Sequence, residues 1–255
     1  MFFTNKGRVY WRKAYEIPQA SRQARGKAIV NLLSLGADET VSSFLPVKEF
    51  DEKHFVVMAT KNGMIKKTNL SAYSHPRTKG IVAITLRPKD ELVATRLTGG
   101  KDEIFLATQG GKAIRFPEKQ VRDMGRAASG VRGVRFGKKD EVIAMEITDA
   151  RATVLTITTL GFGKKSSFKE YRLQSRGGKG VINIKLTPKN GEVASVLSVL
   201  DEDEIILVTT AGMVVRCPVN QIRTSGRASQ GVHVIRLREK DKVANAARVV
   251  AQEEE

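Results

Sequence analysis

Glu103-Ile104-Phe105-Leu106-Ala107-Thr108-Gln109-Gly110-Gly111-Lys112-Ala113-Ile114-Arg115-Phe116 carries the fold of this chain in miniature. An apolar run of strand length meets a turn whose glycines permit positive φ, and a second strand follows. The connection from Pro117 to Ser129 is polar and rich in arginine, and its proline and small residues argue against a long helix. After Gly130, the order Val131-Arg132-Gly133-Val134-Arg135-Phe136 approximates strand alternation. Gly137-Lys138-Lys139-Asp140 then turns into Val142-Ile143-Ala144-Met145, so one stretch of about 50 residues predicts four short strands.

The same unit recurs along the chain. Thr-x-x-Gly stands at Thr4 to Gly7, Thr60 to Gly63, Thr108 to Gly111, Thr158 to Gly161 and Thr209 to Gly212, with the glycines 56, 48, 50 and 51 residues apart. A second landmark, Gly followed by Val or Ile, falls at Gly80, Gly130, Gly180 and Gly231, and Ala28-Ile29 stands in for it in the first repeat. The closing element recurs at Asp90-Glu91-Leu92-Val93 and at Asp241-Lys242-Val243-Ala244. Four short strands per repeat, with repeats of about 1–50, 51–100, 101–150, 151–200 and 201–250 in one domain of 1–255, is the arithmetic of radially arranged propeller blades. An α-solenoid would need long stretches of helical periodicity, and the sequence has none. The first repeat opens at Met1-Phe2-Phe3-Thr4, shorter than its counterpart Asp102 to Thr108, so the chain is expected to begin inside a truncated blade. Glu253-Glu254-Glu255 reads as solvated terminal charge.

Charge is phased with this repeat. Between the two landmarks lie 24 Lys or Arg, against four acids, Glu16, Glu118, Asp123 and Glu170. These segments thus carry +20 of a net +17, which leaves −3 for the remainder. Basic charge kept in register with a fold points to a polyanion held along a repeated face, and nucleic acid is the leading class.

Other chemistries find little support. No apolar stretch is long enough to span a bilayer, and the N-terminus lacks a signal-peptide layout. A single cysteine, Cys217, excludes an internal disulfide framework and fits a reducing cytosol as an inert thiol. His54, His75 and His233 have no second His or Cys at metal-ligand spacing, so each reads as structural and no metal or cofactor is expected. Gly178-Lys179 and Lys164-Lys165-Ser166-Ser167 both fail the phosphate-loop pattern, because Gly180 replaces the required Ser or Thr and Leu173 and Thr158 replace the leading glycines.

The most specific string is Gln174-Ser175-Arg176-Gly177-Gly178-Lys179-Gly180. Two cations around a bare Gly-Gly can reach adjacent phosphates while backbone N–H groups approach closely. Arg126 and Arg227 stand four residues before their glycines, as Arg176 does, while Arg77 and Lys79, and Arg25 and Lys27, flank the same point in the first two repeats. With Gly7-Arg8-Val9-Tyr10, Gly26-Lys27-Ala28-Ile29-Val30-Asn31-Leu32-Leu33, Arg77-Thr78-Lys79-Gly80 and Gly130-Val131-Arg132-Gly133, the chain resembles over essentially its whole length the C-terminal domain of the DNA gyrase A subunit. Gln174 to Gly180 resembles that family's gyrase A box, with two departures. Ser175 replaces a cation, and the string lies in the fourth visible repeat, whereas the family's box lies in a first blade that would precede Met1.

The resemblance implies an all-β, propeller-like β-pinwheel of four-stranded blades, with about five repeats visible of an expected six. It implies a basic rim that binds, bends and wraps duplex DNA so that strand passage introduces negative supercoils. Cleavage and ATP hydrolysis would then reside elsewhere, in the gyrase B subunit together with the rest of the gyrase A subunit. None of Tyr10, Tyr15, Tyr73 and Tyr171 follows an arginine as the family's cleaving tyrosine does, so the chain is expected to be non-catalytic by itself. A monomeric, cytoplasmic, nucleoid-associated fragment without membrane contact completes the expectation.

The candidate DNA-binding residues are Arg8, Arg12, Lys13, Arg25 and Lys27 in the first repeat, and Lys66, Lys67, Arg77 and Lys79 in the second. The third offers Lys112, Arg115, Arg122 and Arg126, and the fourth Lys164, Lys165, Lys169, Arg172, Arg176 and Lys179. The fifth has only Arg216, Arg223 and Arg227 and is expected to grip least. Two alternatives remain at this stage. A topoisomerase IV C-terminal domain would show a shorter or more broken set of blades, and a protein-binding propeller of the Kelch kind would not confine its charge to one segment. An enzyme using a central funnel lacks the clustered acids or histidines to support it.

Overall fold

The computed structural model describes residues 1–19, 27–137 and 139–249. Its β-strands form five antiparallel sheets, called blades 1 to 5 in chain order. Blade 1 runs Val41–Phe44, Phe2–Thr4, Arg8–Tyr10, Ile81–Val82, and blade 2 runs Val131–Arg132, Met64–Asn69, Phe55–Thr60, Leu92–Thr98. Blade 3 runs Val142–Ile147, Glu103–Thr108, Lys112–Pro117, Val181–Ile182, and blade 4 runs Val193–Val199, Thr153–Thr158, Phe162–Ser167, Val232–His233. Blade 5 has three strands among the described residues, Val214–Pro218, Glu204–Thr209 and Val243–Val249. The fold class is therefore all-β and built of propeller-type blades.

The composition of a blade corrects one expectation. Four strands were expected from each repeat, but the strand after the second landmark pairs with the preceding repeat: Ile81–Val82 lies on Arg8–Tyr10, and Val181–Ile182 lies on Lys112–Pro117. It is also shorter than alternation suggested, with Val131–Arg132 alone taken from the stretch Val131 to Phe136. The cause is close backbone approach at the landmark glycine. Gly130 and Gly180 have φ of 77° and 70°, and a Cβ on either would stand 2.5 Å from the carbonyl oxygen of Ile65 or Ala113 in the preceding repeat's second strand. Only glycine accepts both the conformation and the contact.

The first landmark is a turn lock. In all five repeats the glycine N–H donates to the Thr carbonyl three residues back, at 2.9 to 3.1 Å. The N–H after that glycine donates to the Thr hydroxyl, at 3.2 to 3.3 Å. The aspartate of the closing element then ties the turn to the next strand: Thr60 Oγ1 donates to Asp90, Gly110 N to Asp140, and Thr210 Oγ1 to Asp241. Thr-x-x-Gly recurs because a hydroxyl and a positive-φ residue are both needed at fixed positions.

The chain packs as two compact units, Met1–Gly100 with Val121–Val131, and Lys101–Gln120 with Arg132–Glu255. In the first, Phe3, Val9, Val56, Met58, Leu70, Tyr73 and Leu92 form the core, with Phe3 edge-on to Tyr73 at 6.2 Å. In the second, Phe105 meets Phe168 and Tyr171 edge-on at 5.4 and 4.9 Å, and Leu155, Ile157, Ile205, Leu207 and Ile222 build a further cluster. Blade strands such as Phe55–Thr60 are buried on both faces, which is why they read as continuous apolar runs.

Candidate nucleic-acid interface

The second strand of a blade leads into a short 3₁₀ turn such as Leu70–Tyr73, Glu118–Gln120 or Phe168–Glu170, and then into the polar loop that ends at the landmark glycine. Many candidate cations stand exposed on these segments: Lys13, Lys27, Arg77, Lys79, Lys112, Arg122, Lys169, Arg172, Lys179 and Arg223. Arg12 is exposed as well, though its Nε donates to the Leu32 carbonyl at 2.5 Å and its guanidinium lies 3.8 Å from Glu16. Arg8 is half-buried, with Nη2 donating to the Lys79 and Gly80 carbonyls at 2.5 and 3.2 Å. Arg25 lies outside the described residues, as do Glu253 to Glu255.

Four lysines require correction. Lys66, Lys67, Lys164 and Lys165 were expected to face phosphates, but each is buried. Lys66 Nζ donates to the carbonyls of Ala83 and Arg126, and Lys164 Nζ donates to Ser166 Oγ and to the Gly226 and Arg227 carbonyls. Lys165 pairs with Asp201 at 2.5 Å, and the Lys67 ammonium sits 4.7 Å from the centre of the Phe55 ring. Desolvation lowers the Lys66 ammonium to about 7 with help from the Arg126 charge, while Asp123 opposes the shift. Lys164 is lowered to about 8, again mainly by desolvation, with Glu170 opposing and Arg227 assisting. The Lys66 and Lys164 ammonium groups act as posts under the next repeat's loop, donating to its Arg126 carbonyl and to its Gly226 and Arg227 carbonyls respectively.

Four further candidates are held by the protein itself. Arg115 donates to Glu103 at 2.6 Å and to the Phe168 and Tyr171 carbonyls, and Arg216 pairs with Glu204. Arg176, in the box-like string, donates through Nε to the Gln120 carbonyl at 3.0 Å and through Nη1 to the Arg132 carbonyl at 2.5 Å. Arg227 repeats this strap, with Nη1 donating to the Ile182 carbonyl at 2.8 Å. Arg176 and Arg227 therefore tie a loop to the preceding repeat while each residue stays half-buried. Within the string, Gly177 N donates to the Gly133 carbonyl, the Arg135 N–H donates to the Gly178 carbonyl, and Lys179 points outward with no partner among the described residues.

Lys119 and Arg132, both exposed beside these loops, were not singled out in the sequence. Lys119 lies in the basic segment but matches no landmark, and Arg132 falls beyond the glycine where the charge count stops. Cys217 is half-buried and burial raises its thiol, while no group of three or more His, Cys, Asp or Glu among the described residues could hold a metal ion. No helix of the described residues is long and apolar enough to cross a membrane.

Blades joined by borrowed strands and carrying phased basic loops define a β-propeller class of domain. The sequence matches the family described as DNA gyrase C-terminal domain, beta-propeller, in five stretches, 1–48, 54–98, 102–149, 152–199 and 203–249, and the chain belongs to that family. It is 53% identical over 255 residues to the A subunit of DNA gyrase from Halalkalibacterium halodurans, covering all of this chain and 31% of that protein. It is 45% identical over 247 residues to the corresponding protein from Salmonella typhimurium, covering 97% of this chain and 28% of that protein. The chain thus spans less than a third of the length of these relatives. Among solved structures it is similar to the C-terminal domain of DNA topoisomerase IV, with a TM-score of 0.88 and 29% identity over 97% of this chain and 78% of that one. A DNA gyrase A C-terminal domain shares the fold, with a TM-score of 0.85 and 21% identity over 98% of this chain and 81% of that one.

Proposed function

We propose that this chain binds duplex DNA on its exposed loop cations and bends it, as the non-catalytic C-terminal domain of a type II topoisomerase of the gyrase kind. The observation that carries the reading is the placement of Arg77, Lys79, Arg122, Lys169, Arg172, Lys179 and Arg223 on the recurring segment that follows each blade's second strand, with Lys112 at the start of such a strand, all of them exposed. The relatives are gyrase A proteins, which favours gyrase over topoisomerase IV, although the fold is common to both. The partners this reading implies are a gyrase B subunit together with the rest of a gyrase A subunit, in a cytoplasmic, nucleoid-associated location.

Bending a short duplex costs several kcal/mol by elastic estimates, roughly 1–6 for a site of 20–30 base pairs. Many phosphate contacts offset that cost, each releasing a counterion, so affinity depends steeply on salt and weakly on sequence. Arg115, Arg216 and the four buried lysines contribute little to this, being held by internal partners. The test is duplex binding across a salt series: a linear fall of log affinity with log salt and a slope of several ions is expected. A shallow slope with strong sequence preference would refute it.

A further inference from the structure

On blade 1, Arg8, Arg77 and Arg126 line one groove of about 340 Å³ together with Gly80, Ile81, Val82 and Ala127. The lining thus holds three arginines and no acidic residue. Among the described residues, Arg77 and Arg126 have no acidic partner, and Arg8 approaches only Glu39, at 4.0 Å. Three arginines with a single buried carboxylate near only one of them favour an anion.

The blades differ at these positions. The residue after the turn glycine is Arg8 in blade 1 and Lys112 in blade 3, but Met64 in blade 2 and Phe162 in blade 4. The residue before the second landmark glycine, whose strand completes that blade, is Lys79 for blade 1 and Lys179 for blade 3, but Ser129 for blade 2 and Gln230 for blade 4. Registers confirm the equivalence: Arg8 lies opposite Val82, Lys112 opposite Ile182, and Phe162 opposite His233. Phe162 and His233 stack at 3.9 Å, filling with rings the place that blade 1 fills with cations. Two residues further along the strand the pattern inverts, because the buried Lys66 and Lys164 belong to blades 2 and 4 while Ile114 occupies that place in blade 3.

We infer that the Arg8–Arg77–Arg126 groove is a phosphodiester clamp, matched in blade 3 by Lys112 at the place of Arg8, Arg227 at the place of Arg126 and Lys179 two residues beyond the place of Arg77, which Gly177 occupies, so that the DNA backbone is gripped at every second blade in chain order. The inference rests on the functional reading above and specifies where that reading places its strongest contacts. The intervening blades 2 and 4 supply loop cations but no clamp.

Two triple variants of the whole chain test it, binding a fluorescent duplex across a salt series. Arg8→Gln with Arg77→Gln and Arg126→Gln empties the groove of charge. Lys53→Gln with Arg87→Gln and Lys89→Gln removes the same charge from exposed positions of the same unit. The clamp variant is expected to lose on the order of a hundredfold in affinity near physiological salt and about three ions of slope, the control less than about threefold. Equal losses would overturn the clamp while leaving DNA binding intact. Because Arg8 also holds two backbone carbonyls, Arg77→Gln alone guards against misfolding: about fivefold weaker binding with an unchanged unfolding midpoint is expected, and unchanged binding would overturn the clamp. Lys112→Gln with Lys179→Gln should likewise exceed Arg122→Gln with Arg132→Gln, and equality would overturn the alternation. If the unaltered chain binds no duplex, the functional reading fails separately. Titration with inorganic tripolyphosphate then decides the clamp, since the Nε–Hε NMR signals of Arg77 and Arg126 must shift if the groove takes phosphate and stay fixed if it does not.

Discussion

Lys66 and Lys79 belong to the same repeat, fall in the same basic segment and carry the same charge in the sequence, yet one is fully buried and the other exposed. Lys66 lies on a blade strand whose neighbours face the core, and its ammonium is consumed by the Ala83 and Arg126 carbonyls. Lys79 lies exposed on the loop before a positive-φ glycine. A phased cation can thus serve either as a post inside the fold or as a contact outside it. The segment's net charge overstates the charge offered to a partner, because the four buried lysines and the paired Arg115 and Arg216 are withdrawn from it.

The largest expected effect separates these two fates by binding. Arg77→Gln with Lys79→Gln should weaken duplex affinity by more than about tenfold and lower the salt slope by about two, as expected for lost phosphate contacts. Unfolding of the same variant should be unchanged within about 0.5 kcal/mol, because surface substitutions away from special features cost little. A large stability loss in this variant would erase the distinction between post and contact.

Stability should show the converse. Lys66→Met leaves the Arg126 carbonyl without its lysine donor and the Ala83 carbonyl with only the long 3.4 Å bond from the Tyr73 hydroxyl, and a cost of about 1–3 kcal/mol in urea unfolding is expected. A cost near zero would mean that the ammonium is a burden which packing replaces easily.

The pH dependence sharpens the comparison further. Burial lowers Lys66 to about 7 from its ordinary value of 10.5, so between those values the unfolded chain binds a proton that the folded chain does not. Stability should therefore rise with pH across that window, and below about 7 the group contributes no slope. Lys66→Met should flatten the rise when unfolding midpoints at about pH 7.5 and 9.5 are compared. Lys79→Met should leave it unchanged. The smallest effect is expected at Arg216, whose exposed pairing with Glu204 contributes at most about 1 kcal/mol, so that Arg216→Gln changes unfolding barely and binding by less than about threefold.

The repeat, the strand pairs and the turns were legible because each rests on local chemistry. Thr60 and Gly63 announce a turn that a hydroxyl and a positive φ build within five residues. The strand exchange was not legible, since Ile81–Val82 pairs with Arg8–Tyr10 about 70 residues earlier, and periodicity along a chain says nothing about which neighbour completes a sheet. At the candidate site, exposed cations such as Lys112 and Lys179 were found by their phase. The buried posts were misread, because Lys66-Lys67 and Lys164-Lys165 look like solvated pairs until the following loop is seen to supply carbonyls to Lys66 and Lys164. Ile114 at the same register in blade 3 was a signal: a position that accepts isoleucine in one repeat faces the core in its neighbours.

The most direct measurement of the account's central claim is DNA topology. The chain is bound at increasing ratios to a nicked plasmid, the nick is sealed by ligase, and linking number is read after the protein is removed. A progressive shift in linking number is predicted, strongly reduced when Arg8, Arg77, Arg126, Lys112 and Lys179 are changed to Gln and retained when Lys53, Arg87 and Lys89 are. Saturating binding with no shift in linking number would contradict the account, leaving a protein that holds DNA without changing its path.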